Sequence, residues 1–220
     1  MKNVPYAITK FCCWSFFGLR FGLEVTGQAH VPRRGPVIVA SNHVSFLDPP
    51  ILGAACPRWL RFMARDTLFA HGWLALFMRS VRVIPLRRGE ADLGAIREAL
   101  EALREGEAVA IFPEGGRQRS GRLGTAKRGI GVLADLSQAT VVPAFITGSY
   151  RALPPDATRL QPSKIRVAFG PPIPYTGVPL PAGLPERRAA LRARREQLAD
   201  AVTQAWGRLA AQQERGSTIA

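Results

Sequence analysis

His43 and Asp48 stand five positions apart in Ser41-Asn42-His43-Val44-Ser45-Phe46-Leu47-Asp48-Pro49-Pro50, directly after the short apolar run Pro36-Val37-Ile38-Val39-Ala40. A histidine held by a carboxylate is a ready general base: one ring nitrogen donates to the carboxylate and the other accepts a substrate proton. On a continuous helix that spacing would set the side chains about 140° apart, so contact requires a turn between them. Pro49 favours such a turn by pushing Asp48 toward extended backbone. Because proline also suits the first position of a helix, Asp48 is the expected cap of a helix starting at Pro49. The plainer alternative is a capping aspartate beside an ordinary histidine on the rim of a sheet.

A second constellation follows the apolar run 107–112: Phe112-Pro113-Glu114-Gly115-Gly116-Arg117. Paired glycines after a strand leave backbone N–H groups open to an anion. Arg117, Arg119, Arg122, Lys127 and Arg128 crowd the next dozen positions, and Arg82, Arg87 and Arg88 punctuate Ser80 to Gly89. One basic run is usually a solvated face. Two of them, beside a glycine turn and a His–Asp pair, point to a phosphate pocket.

These groups need a scaffold, and the chain is long enough to build one. Its 220 residues, 47% hydrophobic and 21% charged, describe a globular chain able to bury its own core. Three cysteines (Cys12, Cys13, Cys56) and three histidines (His30, His43, His71) give neither a disulfide framework nor a metal site. A reducing compartment is the plain expectation. Lys+Arg number 30 against 16 Asp+Glu, a net charge of +14 that favours anionic partners. The excess is spread along the chain, and no nucleic-acid-binding motif is visible, so nucleic acid is not expected as a partner.

The expected architecture is α/β: a single domain with a mostly parallel or mixed central sheet flanked by helices. Strands are expected over 36–40, 107–112, 140–146 and 164–169, with Pro143 marking an edge or bulge in the third. Ala91 to Glu105 reads as a helix with Ile96, Leu100 and Leu103 on its apolar face, stopped by Gly106. Residues 185–213 read as another, with Leu191, Leu198, Val202, Ala205 and Leu209 inward. The proline-rich stretch 171–185 is the one plausible linker. The expected division is a helical segment 1–22, an α/β domain 23–178, and a connection with a C-terminal helix over 179–220.

Residues 4–23 combine Tyr6, Phe11, Trp14, Phe16, Phe17 and Phe21 with Lys10 and Arg20. The uncharged run Phe11–Leu19 is too short to span a bilayer, which takes about 20 residues. A helix lying in the membrane interface fits this composition. A helix covering the core of a soluble domain is the alternative.

The two constellations together resemble the glycerolipid acyltransferases typified by 1-acyl-glycerol-3-phosphate acyltransferase. The resemblance rests on N-H-x-x-x-x-D at 42–48 and F-P-E-G at 112–115 followed by Arg117, and covers about residues 25–175. It implies that His43 is the general base and Asp48 its orienting carboxylate. It places the acceptor's phosphate on Arg88, and the family's third motif on Glu114, Gly115 and Arg117, with Lys127 downstream and Val142-Pro143 as the fourth. Gly116, inside the glycine turn, is counted with the substrate-binding residues. The chain departs from the family where Gly116 replaces a usual Thr, Gln118 a frequent Ser, Arg82 a usual Gly and Arg87 a frequent Asp.

The implied reaction is direct acyl transfer, without an acyl-enzyme or a cofactor, from acyl-CoA or acyl-carrier protein to a lysophospholipid hydroxyl. It would take place at the cytoplasmic face of the cell membrane, on an anionic leaflet, with the enzyme peripheral or monotopic. A serine hydrolase using Ser41 or Ser45 is the competing enzyme class, but the chain has no G-x-S-x-G elbow. A basic membrane-binding module without turnover is the non-enzyme reading.

Overall fold

In the computed structural model, which describes residues 4–70, 72–87, 92–173 and 183–218, the apolar runs assemble into one sheet. Its strands are β1 (Glu24–Thr26), β2 (Val37–Ser41), β3 (Leu60–Arg65), β4 (Ile84–Leu86), β5 (Ala108–Ile111), β6 (Thr140–Thr147) and β7 (Arg166–Phe169). The order is β1-β7-β6-β2-β5-β3-β4. Strands β2 to β6 run parallel, and β7 pairs antiparallel with β6. The fold is therefore mixed α/β, as expected from the sequence.

Parallel strands must be covered on both faces, and the period-two alternation of side chains divides the core accordingly. Ile38 and Ala40 of β2 face α4 (Leu93–Arg104), α5 (Gly129–Ser137) and α7 (Leu184–Thr218), together with Val109, Val141 and Phe145. Val37 and Val39 face α1 (Val4–Phe21) and α2 (Asp48–Ala55), together with Ala108, Ala110, Val142 and Ala144. β2 is buried along its whole length at the centre of the sheet. The chain leaves it at His43.

On α7 most of the expected face is inward, with Leu198, Val202, Ala205 and Leu209 buried and Leu191 half-buried. Trp206 joins them, fully buried, and its indole Nε1 donates to the Ala40 carbonyl at 3.0 Å. This bond ties the C-terminal helix to the strand that carries His43. Trp206→Phe keeps most of the volume and removes the donor, at about 1–2 kcal/mol. Thermal denaturation should show a melting temperature lower by a few degrees. An unchanged melting temperature would mean that the bond does not hold the helix.

One expectation changes. Pro143 does not mark an edge strand, because β6 lies inside the sheet between β7 and β2. The bulge half of that reading fits better. The β6–β7 register slips by one residue between the Ala144↔Phe169 pair and the Val141↔Ile173 bridge, and Gly170 N–H donates to the Pro143 carbonyl just before the slip. Most of the proline-rich stretch, 174–182, lies outside the described residues.

α1 is apolar on two sides. Tyr6, Phe17 and Phe21 are buried against the domain, and the Tyr6 hydroxyl accepts the Leu60 N–H at 2.8 Å. Val4, Ile8, Phe11, Trp14 and Leu19 remain exposed, Leu19 at 91%. No described helix is long and apolar enough to cross a membrane.

Candidate active site

The site forms outside the carboxyl ends of the adjacent strands β2 and β5, the position where open α/β sheets place ligands. Asn42, buried at the end of β2, fixes the way out of the strand. Its Nδ2 donates to the Ile146 carbonyl at 3.0 Å and its Oδ1 accepts the Ile146 N–H at 2.8 Å. The side chain thus pairs like a backbone group and clamps the start of the loop to β6.

His43 is held by its own backbone from the neighbouring loop. Its N–H donates to Glu114 Oε1 at 2.8 Å, and its carbonyl accepts the Gln118 N–H at 2.8 Å. The imidazole stacks on Phe112, with ring centroids 4.2 Å apart. Nδ1 lies 2.9 Å from Asp48 Oδ2. That oxygen also accepts two backbone N–H groups, so the hydrogen of this contact sits on Nδ1 and Nε2 is left as the acceptor.

Asp48 does not cap its helix. Leu47 occupies the cap position with no side-chain bond, and α2 starts at Asp48 itself. The carboxylate points back instead, and Oδ2 accepts the N–H groups of Val44 and Ser45, each at 2.7 Å, as well as His43 Nδ1. The required turn is therefore closed by Asp48's own side chain. Its carboxyl group is fully buried and is met by three donors on one oxygen.

The serines on either side have other work. Ser45 is buried and donates from Oγ to the Leu153 carbonyl at 2.7 Å, while the Ser41 hydroxyl donates to the Asn42 carbonyl at 3.2 Å. Neither bonds to the histidine. The serine-hydrolase reading loses its nucleophile.

Glu114, 3% exposed, organises the second loop. Burial pushes its carboxyl up, and the His43 N–H and the Gln118 side chain pull it back. Gly115 has φ +77, and a Cβ there would lie 2.9 Å from Lys127 Nζ, so this position needs glycine both for its backbone and for the ammonium above it. Lys127 N–H donates to the Pro113 carbonyl at 2.8 Å, which folds the basic stretch back over the turn. Gly116 faces open space.

The Arg117 guanidinium sits over the Phe46 ring, its Cζ 3.4 Å from the centroid, a cation–π contact. Its Nη1 is buried without a hydrogen-bond partner among the described residues. Burial, and then the cations of Arg65 and Arg119, lower its pKa. An unused guanidinium donor within electrostatic reach of two further arginines is poised for an anion.

Arg65 and Phe46 escaped the sequence reading as site residues. A basic residue closing a strand on the rim would have been the signal for Arg65. Arg88, the expected phosphate ligand, lies outside the described residues. Arg82 is corrected: it donates to Glu107 at 2.6 Å, before β5 begins, and so works at the opposite end of that strand from the glycine turn. It also takes φ 57, the left-handed conformation that suits the family's usual glycine.

The acyltransferase family matches residues 22–147, more than half of the chain. The chain belongs to that family. It is similar to a 1-acyl-sn-glycerol-3-phosphate acyltransferase of Bacillus subtilis, 29% identical over 143 residues, 63% of this chain and 71% of that protein. It is 39% identical over 101 residues to a lyso-ornithine lipid O-acyltransferase of Pseudomonas aeruginosa, 44% of this chain and 36% of that one. Other curated relatives are spanned over 44–58% of their length. The crystal structure of the 1-acyl-sn-glycerophosphate (LPA) acyltransferase PlsC of Thermotoga maritima superposes with a TM-score of 0.71 at 25% identity, over 91% of this acyltransferase and 78% of that chain.

Proposed function

We propose that this acyltransferase moves a fatty acyl group from an acyl thioester, acyl-CoA or acyl-carrier protein, to the free hydroxyl of 1-acyl-sn-glycerol-3-phosphate, giving phosphatidic acid. The observation that carries the reading is the His43–Asp48 pair, set beside a glycine turn and an arginine cluster with an unused buried donor.

His43 Nε2 takes the hydroxyl proton as that oxygen attacks the thioester carbonyl. The ester C–O bond forms, the C–S bond breaks, and the proton passes from the imidazolium to the departing thiolate. Asp48 stabilises the imidazolium, so no acyl-enzyme and no cofactor are required. Arg117, Arg65 and Arg119, with Lys127 and Arg88 of the sequence motifs, hold the acceptor's phosphate and so orient its hydroxyl.

Such an acceptor and such a product reside in a bilayer. The exposed apolar face of α1 and the net +14 favour peripheral docking on the anionic cytoplasmic leaflet. A second acceptor, lyso-ornithine lipid, is favoured by the local identity to the Pseudomonas enzyme. Incubating purified protein with a panel of lysolipids and both donor types, read by mass spectrometry, separates these readings. Absence of any acylated lysolipid would overturn the assignment.

The phosphate contacts give a further expected result. Arg117→Ala should raise the acceptor KM or lower kcat by about tenfold, with donor KM unchanged, since charge-assisted bonds contribute about 1.5–3 kcal/mol. Phe46→Leu should shift acceptor KM in the same direction by a few-fold, and Phe46→Tyr should restore it, because the ring face rather than bulk holds the guanidinium. An equal rise in donor KM would assign Arg117 to the thioester's carrier.

A further inference from the structure

A connection leaves the carboxyl end of β3 and makes a short 3₁₀ turn over Asp66–Phe69 before α3 (Gly72–Ser80). It re-enters the sheet at Ile84, which pairs with Met63, two residues short of the end of β3. It therefore departs and returns near the edge of the sheet that carries His43 and the arginine cluster.

α3 is anchored by one side only. Ala75 is buried, and Met78 and Phe69 pack with Tyr6, Val81 and Val83 in a small cluster shared with α1. Trp73, Leu76 and Phe77, at i, i+3 and i+4 on one helical stripe, stay in solvent, with Trp73 77% and Leu76 72% exposed. Leu68 adds to the same surface at 36%. Contiguous exposed apolar area of this kind marks an interaction surface.

Charge indicates the occupant. From Asp66 to Leu86 the one acidic residue is Asp66, Arg79 is exposed on α3 and Arg82 is paired to Glu107, while residues 4–23 carry Lys10 and Arg20 with no acid. α1, which meets α3 across the Tyr6 cluster, exposes its own apolar stripe at Val4, Ile8 and Phe11. Exposed apolar side chains with a basic excess around them, on two helices sharing one cluster beside the site, match an anionic bilayer rather than a protein groove.

We propose that the Leu68–Phe77 surface is a second membrane-contact element. It seats Trp73, Leu76 and Phe77 among the acyl chains beside the opening of the site, while α1 docks alongside. The proposal rests on the reading that the acceptor is a bilayer lipid, and it names the part of the chain that brings the site onto that bilayer.

The test compares the full chain with Trp73→Ser/Leu76→Ser and with a control, Leu136→Ser, whose leucine is 54% exposed on α5. Sedimentation with substrate-free vesicles of phosphatidylglycerol and phosphatidylcholine should show partitioning of the double variant weakened on the order of tenfold or more. The control should bind as the parent does. Both variants should keep the parent melting temperature and its turnover of a short-chain, water-soluble lysophosphatidate. In a Trp14→Phe/Trp59→Phe background, lipids brominated on the acyl chain should quench the part of the emission that a further Trp73→Phe removes, the other remaining tryptophan, Trp206, being fully buried. Unchanged partitioning, or no quenching, overturns the proposal. If partitioning falls but no protein acylates the soluble acceptor, the docking surface stands and the assigned reaction fails.

Discussion

His43→Ala is expected to lower kcat by about 10²–10⁴-fold, the contribution typical of a general acid–base residue, and to leave the fold intact. The residue's place in the chain does not depend on its ring. The N–H to Glu114, the carbonyl to Gln118 and the Asn42 clamp behind them are all retained in the alanine variant. What is lost is the stacking on Phe112 and one donor to Asp48, whose Oδ2 still accepts from Val44 and Ser45. Stability should fall by no more than about 1 kcal/mol, or a few degrees in a chain of this size. Thiol release from the donor and a thermal melt on the same preparation check both halves. Turnover within a few-fold of the parent would remove His43 from the reaction. A collapse of the melting temperature would make its role structural.

The sequence made this site visible to the extent that its chemistry sits in local spacing. His43, Asp48, Glu114, Gly115, Arg117 and Lys127 all lie in two short stretches, and the folding problem only had to bring the ends of neighbouring strands together. Contacts set by distant chain segments were not legible. Arg65 reaches the cluster because β3 pairs beside β5, and β3 itself was hidden by its charges. Arg61 breaks the apolar run, yet it is 9% exposed because it pairs with Glu98 at 2.6 Å and Glu107 at 3.2 Å. A buried arginine read as a surface residue conceals a strand.

The cap assigned to Asp48 failed for a related reason. Propensity places an aspartate before Pro49 at a helix start, where its natural donors are the N–H groups ahead of it. The N–H groups of Val44 and Ser45 behind it are offered by the turn that its own side chain closes, next to a His43 pinned through Glu114 by a loop more than 70 residues away. Tertiary context overrode a local rule. The functional pairing and the loss of the cap are one event.

Asp48→Asn separates that structural duty from the chemical one. The amide keeps the shape and can keep one oxygen toward Val44, Ser45 and His43. It loses the charge, and it puts an NH₂ where Oδ1 now lies, buried and without a hydrogen-bond partner among the described residues. A neutral acceptor for three N–H groups and a buried unmet donor together cost about 1–3 kcal/mol of stability. The rate should fall by about 10²–10³-fold, less than for His43→Ala, because the imidazole remains but its protonated form has lost its counter-charge. The decisive comparison is the double variant. If Asp48 acts on the reaction only through His43, then His43→Ala/Asp48→Asn should turn over no more slowly than His43→Ala alone, since residues that act as a unit are not additive. A further tenfold drop in the double variant, at an unchanged melting temperature relative to Asp48→Asn, would show that the carboxylate touches the reaction by a route other than the histidine.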